Sequence, residues 1–280
     1  ILHALFRGHR RLLVLGTSGA VILPLVRLLF PSVQIITNID GVEWKRDKWN
    51  CFAKSFLKFS EAIAVKYSSV VIADNAAIAD YVKNYYHTDC ETIAYGGDHA
   101  IVESDVTQMR ADLASHKDYV FSVCRIEPEN NVDLILASFA HTKLDLVFVG
   151  NWQSSLYGQE LLELYSHYPN ICLLDPIYEL KFLAAYRKNC CAYVHGHSAG
   201  GTNPSLVEMM HFDKPIVAFD CVYNRSTMED HGSFFSTLED LNEIMQSEGV
   251  LPGGAELGIV ARQRYTWDVV REMYFGLFDK

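Results

Sequence analysis

The sequence lacks an uninterrupted apolar run of membrane-span length. Its strongest candidate, residues 12–30, is broken by glycines, Pro24 and Arg27 and divides into strand, loop and helix. It lacks C-x-x-C spacing, and its seven cysteines are odd in number, which reads as reduced, mostly buried thiols in a cytosolic protein. Gly16 to Gly19 invite comparison with a phosphate loop, but neither the dinucleotide fingerprint nor the P-loop lysine is present. Internal repeats and low-complexity segments are absent too. The chain begins mid-pattern, without methionine or a signal peptide, and reads as incomplete at its N-terminus.

What is present is a 280-residue chain with 50% hydrophobic residues, enough for a sizeable core and two domains. Charge is uneven. Residues 1–99 carry eleven Lys/Arg against nine Asp/Glu, and the remainder carries thirteen against twenty-five. A basic first part suits an anionic acceptor or a membrane surface rather than nucleic acid.

The most informative stretch runs from Tyr193 to Asp220 and reads as strand, glycine-rich loop, helix and strand. Gly200 and Gly201 free the backbone for close approach to a ligand. Asn203 caps the helix and Pro204 occupies its first position, so Gly200 to Asn203 offer backbone N–H groups to a phosphate. Glu208, one turn in, is placed to accept from sugar hydroxyls, and a surface glutamate favoured by the helix dipole is the competing reading. Lys214-Pro215 ends the helix, and residues 215–219 form a buried-type strand. His195 and His197 suggest a metal through H-x-H spacing, but no third ligand follows, so they read as loop histidines near a sugar.

This stretch resembles the donor-sugar motif of glycosyltransferase family 4. Glu208 matches its second glutamate, and Asp213-Lys214-Pro215-Ile216-Val217-Ala218 matches the entry to the next strand. Eight positions before Glu208, where the family has its first glutamate, stands Gly200. The run HGHSAGGTNPSLVE is similar to a bacterial rhamnosyltransferase subgroup, as are Asp40-Gly41-Val42-Glu43-Trp44-Lys45-Arg46 and Pro128-Glu129-Asn130-Asn131. The resemblance implies an α/β GT-B fold, two Rossmann-like parallel-sheet domains facing a cleft, with the first truncated. Its parts are a partial acceptor-side domain over 1–99, a nucleotide-sugar-binding domain over 100–262 and a terminal helix over 263–280 that packs back on the first domain.

Strand and helix alternate along the chain, as a parallel sheet covered on both faces requires. Strands are expected over 12–15, 33–38, 70–73 and 92–95, then 119–124, 144–149 and 171–174. Gly19 lies in the turn after the first strand, which reads as lining an acceptor cleft. Asp40 and Glu43 follow the second strand, where polar groups are candidates for orienting or deprotonating an acceptor hydroxyl. Helices are expected over 47–67 and 76–86, the second capped by Asp74-Asn75. In the first, Trp49, Phe52, Phe56 and Ile63 read as a core-facing stripe, with residues 44–48 the part most able to touch lipid. Residues 224–230 read as a polar loop, and 264–278 as a helix with Trp267, Val270, Tyr274 and Leu277 on one face.

Family 4 enzymes follow the strand at 119–124 with an arginine and, five residues on, a lysine that hold the donor diphosphate. Arg125 matches the arginine and Asn130 stands in the lysine's place. A guanidinium's forked donors suit phosphate oxygens. The resemblance also puts Ile177 under the nucleobase. Together these imply a retaining glycosyltransferase that moves L-rhamnose from dTDP-L-rhamnose to a glycan or lipid-linked acceptor, without a metal, on the cytoplasmic side of a membrane. Asp40 or the leaving phosphate would activate the acceptor. A non-catalytic nucleotide-sugar-binding subunit and another nucleotide-sugar enzyme, such as an epimerase, stay open.

Overall fold

A computed structural model of the chain describes all residues except 47–48, 106, 108, 110–117, 248–250 and 279–280. The chain divides into two compact units. The first comprises Ile1–Ala94, Ala199–Thr202 and Arg271–Lys280, and the second Tyr95–Ser198 and Asn203–Val270.

The first unit opens with helix α1 (Leu2–Phe6) and strand β1 (Arg11–Leu15), then α2 (Leu23–Leu29), β2 (Gln34–Ile39), α3 (Cys51–Tyr67), β3 (Val70–Ala73), α4 (Ala76–Tyr86) and β4 (Glu91–Thr92). The four strands form one parallel sheet in the order β1-β2-β3-β4. Strand β2 is buried almost throughout, its polar Thr37 and Asn38 included, because both faces are covered, as expected inside a parallel sheet. Leu5, Leu12, Leu23, Val26, Val33, Ile35 and Ala64 form a core cluster on one side of it.

Helix α3 differs from expectation. Asn50 caps it by accepting from the N–H of Ala53 at 2.9 Å, so the described helix starts at Cys51, while Asp47 and Lys48 lie outside the described residues. Its buried face is Leu57, Ser60, Glu61, Ala64 and Val65. The aromatic members of the stripe point outward instead, with Phe52 84% exposed and Trp49 and Phe56 also at the surface, as is Phe59, while Ile63 packs against the core as expected. Glu61 explains the rotation. Its Oε1 accepts from Trp44 Nε1 at 3.3 Å and from the Tyr81 and Tyr86 hydroxyls at 2.7 Å each. A buried carboxylate that satisfied draws its own face inward.

The second unit contains β5 (Val120–Val123), α5 (Val132–Ala140), β6 (Leu146–Val149), α6 (Leu156–Tyr165), β7 (Ile171–Leu174) and α7 (Leu180–Asn189). It continues with β8 (Ala192–His195), α8 (Pro204–Met210), β9 (Ile216–Phe219), α9 (Val222–Met228), β10 (Ser233–Phe235), α10 (Leu238–Gln246) and α11 (Gly254–Arg264). The last helix, α12, spans Trp267–Gly276. All six strands are parallel, in the order β10-β9-β8-β5-β6-β7. The chain winds outward from β5 in one direction and from β8 in the other, so the winding reverses between those two strands. Val120, Phe139, Phe148, Trp152, Phe235 and Leu241 are among the residues of its core.

Three further expectations change. Residues expected as a polar loop form helix α9, and Arg225 pairs with both Asp220 (2.6 Å) and Asp230 (3.0 Å). Helix α8 stops at Met210, short of Lys214, and Asp213 takes a left-handed φ of 54°. Of the seven cysteines, all free, only Cys190 is buried. No helix among the described residues is long and apolar enough to cross a membrane.

Candidate active site

In an open parallel sheet, ligands settle outside the carboxyl ends of the strands where the winding reverses. In the second unit that point lies between β5 and β8, and the two loops leaving these strands are stitched together. Both N–H and hydroxyl of Ser198 donate to the Glu129 carbonyl, at 3.0 and 2.8 Å. Asn131 Nδ2 donates to the Gly196 carbonyl at 2.8 Å. A Cβ on Gly196 would overlap the Asn130 carbonyl oxygen, which accounts for glycine there. Arg125 and the histidine loop, separated by seventy residues of chain, are thus neighbours in one sheet.

Within this site the expected donor residues have unequal freedom. Arg125 is exposed and meets Glu127 Oε1 at 3.3 Å, so its guanidinium is accessible to a phosphate. Asn130 is buried, and its amide donates to the Arg125 carbonyl at 2.7 Å. It braces the loop and cannot replace a phosphate-binding lysine. Ile177 lies half-buried between β7 and α7.

His195 is 1% exposed, and its ring stacks on His197 with centroids 4.4 Å apart and 13° between planes. Nδ1 lies 3.4 Å from the Tyr193 hydroxyl, while Nε2 has no partner. Burial, reinforced by His197, pushes its pKa well below the usual histidine value, so His195 is neutral at pH 7. Its open Nε2 can exchange a hydrogen bond with a sugar hydroxyl but carries no charge. Among the described residues no three His, Cys, Asp or Glu side chains group as a metal site would require.

Glu208 is already engaged. Arg187 of α7, 1% exposed, donates from Nη2 to Glu208 Oε2. His99 Nε2 lies 3.2 Å from Oε1. The Trp267 indole N–H, which can only donate, reaches His99 Nδ1 at 3.0 Å, so Nε2 of His99 carries the proton that faces the carboxylate. Each carboxylate oxygen retains a lone-pair site, and Glu208 can still accept from a hydroxyl, but as one member of a cluster. Asn203 caps α8 as expected, accepting from the Ser205 N–H at 3.0 Å.

The loop before α8 belongs to the first unit from Ala199 to Thr202. Gly200 has φ 115°, Gly41 has φ 140°, and a Cβ on Gly41 would lie 3.5 Å from the Gly200 Cα. These glycines serve close backbone packing, conformations an L side chain rarely adopts. A Cβ on Gly200, the family's first-glutamate position, would lie 3.6 Å from Arg46 Nη2. The Thr202 hydroxyl donates to the Asp74 carbonyl, and Asn75 Nδ2 reaches Thr202 Oγ1 at 3.3 Å.

Around this loop stand the carboxyl ends of β1, β2 and β3. Asp40 is exposed, close to Gly16, and its pKa is raised chiefly by the protein crowding its carboxyl and then by Glu43, opposed by backbone hydrogen bonding and Arg46. Glu43 is committed to Arg46 at 3.0 Å and to Trp49 Nε1 at 3.1 Å, while Asp40 stays exposed. Gly19 precedes a short helical turn, and its Cβ position is open. Beside the candidate residues of the first unit lies Asp74, and beside those of the second lie Arg187 and His99, none of which the sequence alone singles out as such.

Residues 105–242 match the family of glycosyl transferases group 1, and residues 14–98 match a domain of unknown function (DUF1972). The α/β fold with two parallel sheets matches that of GT-B glycosyltransferases of known structure. Among solved structures the chain is similar to the sucrose-phosphate synthase of Thermosynechococcus elongatus (TM-score 0.79, 15% identity, 99% of this chain and 76% of that one). It is also similar to Anabaena HepE in complex with UDP and glucose (0.75, 12%, 100% and 81%). A third is the pneumococcal O-GlcNAc transferase GtfA in complex with UDP and GlcNAc (0.66, 13%, 95% and 56%). No curated protein matches the chain by sequence.

Proposed function

We propose that this chain is a retaining glycosyltransferase that takes a sugar from a nucleotide donor, with L-rhamnose from dTDP-L-rhamnose the foremost candidate, and delivers it to a glycan or lipid-linked acceptor. The observation that carries the reading is the glycosyl transferases group 1 match across the second unit. Its strand-end site provides the chemistry such a reaction needs. Negative charge builds on the leaving diphosphate, and the Arg125 guanidinium supplies forked donors to offset it. Neutral His195 and the Glu208 cluster supply hydrogen bonds that hold sugar or ribose hydroxyls. Asp40 receives the acceptor's proton. No metal enters this scheme.

The HepE and GtfA structures contain UDP, so UDP-sugars belong in the test beside dTDP-rhamnose. Calorimetric titration of dTDP-, UDP- and GDP-sugars into the chain is expected to single out one nucleotide. Arg125→Ala is expected to weaken that binding roughly 10- to 100-fold while leaving stability unchanged. Absence of binding by every donor refutes the reading. A non-catalytic nucleotide-sugar-binding subunit is favoured by one observation, the internal commitment of Asn130. It predicts binding without acceptor-dependent release of nucleoside diphosphate.

A cytoplasmic membrane face suits the outward side of α3. Phe52, Phe56 and Phe59 are exposed on the same helix as Lys54, Lys58 and Lys66. Aromatics beside lysines are the pattern of an interfacial helix on anionic lipid.

A further inference from the structure

Three parallel strands of the first unit end in small or acidic residues, Gly16 after β1, Asp40 after β2 and Asp74 after β3. From the sequence the third accounts only for a helix cap. In the structure Asn75 performs that task, accepting from the Ala77 N–H at 2.9 Å, and Asp74 is released for something else. Its side chain is 2% exposed and its Oδ1 has no partner. A buried carboxylate in that position is expensive unless paired, and the neutral acid is the form that persists.

The surroundings are specific. A Cβ on Gly201 would overlap Asp74 Oδ1 and come within 2.5 Å of Cγ, so the loop must carry glycine there for the carboxyl to fit. Thr202 donates to the Asp74 backbone, and Asn75 holds Thr202 in turn. We propose that Asp74 is a positioning residue of the first unit's site, a buried neutral acid that seats the glycine loop and leaves Asp40 as the ionised carboxylate offered to an acceptor hydroxyl. This rests on the reading of that site as the acceptor side.

The groups facing the pair decide which member holds the proton. Toward Asp74 come the backbone of Thr202, Tyr274 from α12 and Asp40, with no cation among them. Toward Asp40 come Glu43 and the Arg46 guanidinium, and Asp40 is open to water. Burial first, then the Asp40 charge, push the Asp74 carboxyl up to about 8, with backbone hydrogen bonds pulling the other way. The proton therefore resides on Asp74, and the nearby charge of Asp40 helps to keep it there. During transfer the acceptor oxygen bonds to the anomeric carbon and its proton passes to the Asp40 carboxylate. The electron pair of the broken sugar–oxygen bond leaves with the diphosphate. Asp74 gains and loses nothing.

Infrared difference spectra of the whole chain from about pH 5 to about pH 9 test this without donor or acceptor. Wild type is expected to show a protonated-carboxyl band at neutral pH that disappears in the near-isosteric Asp74→Asn. In Asp40→Asn the band should persist but titrate on the order of one pH unit lower, a shift that a merely structural Asp74 would not give. A wild-type band that is absent near pH 7, or that survives in Asp74→Asn, overturns the proposal, as does an unmoved titration in Asp40→Asn. Should Asp74→Asn fail to fold, the Asp40→Asn titration decides alone. Because the spectra need no sugar transfer, a correct carboxyl pair in a protein that transfers nothing would sink the transferase reading separately.

Discussion

Replacing Glu208 by Gln strips the negative charge from a cluster in which Arg187 is buried. The guanidinium places Nη2 on Glu208, while its Nε and Nη1 have no protein partner, so Glu208 is the acid that faces this cation. The new amide would also turn N–H groups toward either Arg187 or the Nε2 proton of His99. Breaking a buried pair from one side typically costs about 3–5 kcal/mol, because the surviving charge stays desolvated. For a unit of this size that corresponds to a fall in Tm of roughly 10 °C. Urea titration followed by tryptophan fluorescence reads the effect. The double variant Arg187→Met, Glu208→Leu is expected to recover most of it, since well-packed apolar groups often match a buried ion pair. If Glu208→Gln lies within about 0.5 kcal/mol of wild type, the pair does not hold the helices as argued. Donor binding by Glu208→Gln must accordingly be measured well below its melting range, or lost stability will pass for lost recognition.

Three further outcomes are expected. The Asp74 carboxyl rises from 3.8 to about 8 on folding, so its contribution to stability is fully present below about pH 4 and is lost as pH rises through about 8. Denaturation at a series of pH values should show wild type losing ground against Asp74→Asn across that window, and a constant difference would contradict the buried acid. Gly97→Ala puts a Cβ 2.6 Å from the Val207 carbonyl, against helix backbone that cannot yield, and should destabilise by about 2 kcal/mol or more in the same assay. Phe52→Ser with Phe59→Ser should leave the melting curve unchanged but weaken sedimentation with anionic vesicles tenfold or more, and unchanged sedimentation would remove α3 from any lipid contact.

Much of the fold is legible in the sequence where apolar runs are short and bounded by turn residues. Strands β3 and β7 and helix α4 have the limits expected from pattern alone. Helix α9 was not legible, because its seven residues are largely polar and its ends are held by Arg225 reaching acids on both sides. The α3 stripe misled because aromatic spacing does not say which side a buried acid will claim, and Glu61 finds its donors on another helix. At the candidate site, Arg125 and His195 could be named from the strands they follow. Arg187 could not, since an arginine near a helix end reads as a solvent-facing cation, and only the fold brings Glu208 to it. Asp74 was hidden behind Asn75, which accounts for the helix start by itself.

The reversal of winding between β5 and β8 has a practical side for protein engineering. Residues 125–131 and 195–198 hold one another through Ser198, Asn131 and Gly196, so neither segment can be lengthened without displacing the other. Exposed connections that lead into the strands of the same sheet sit at their opposite ends. Tags or reporter peptides belong there, where added length is absorbed by solvent. Altering nucleotide preference, by contrast, would require exchanging the two stitched segments together as a matched pair.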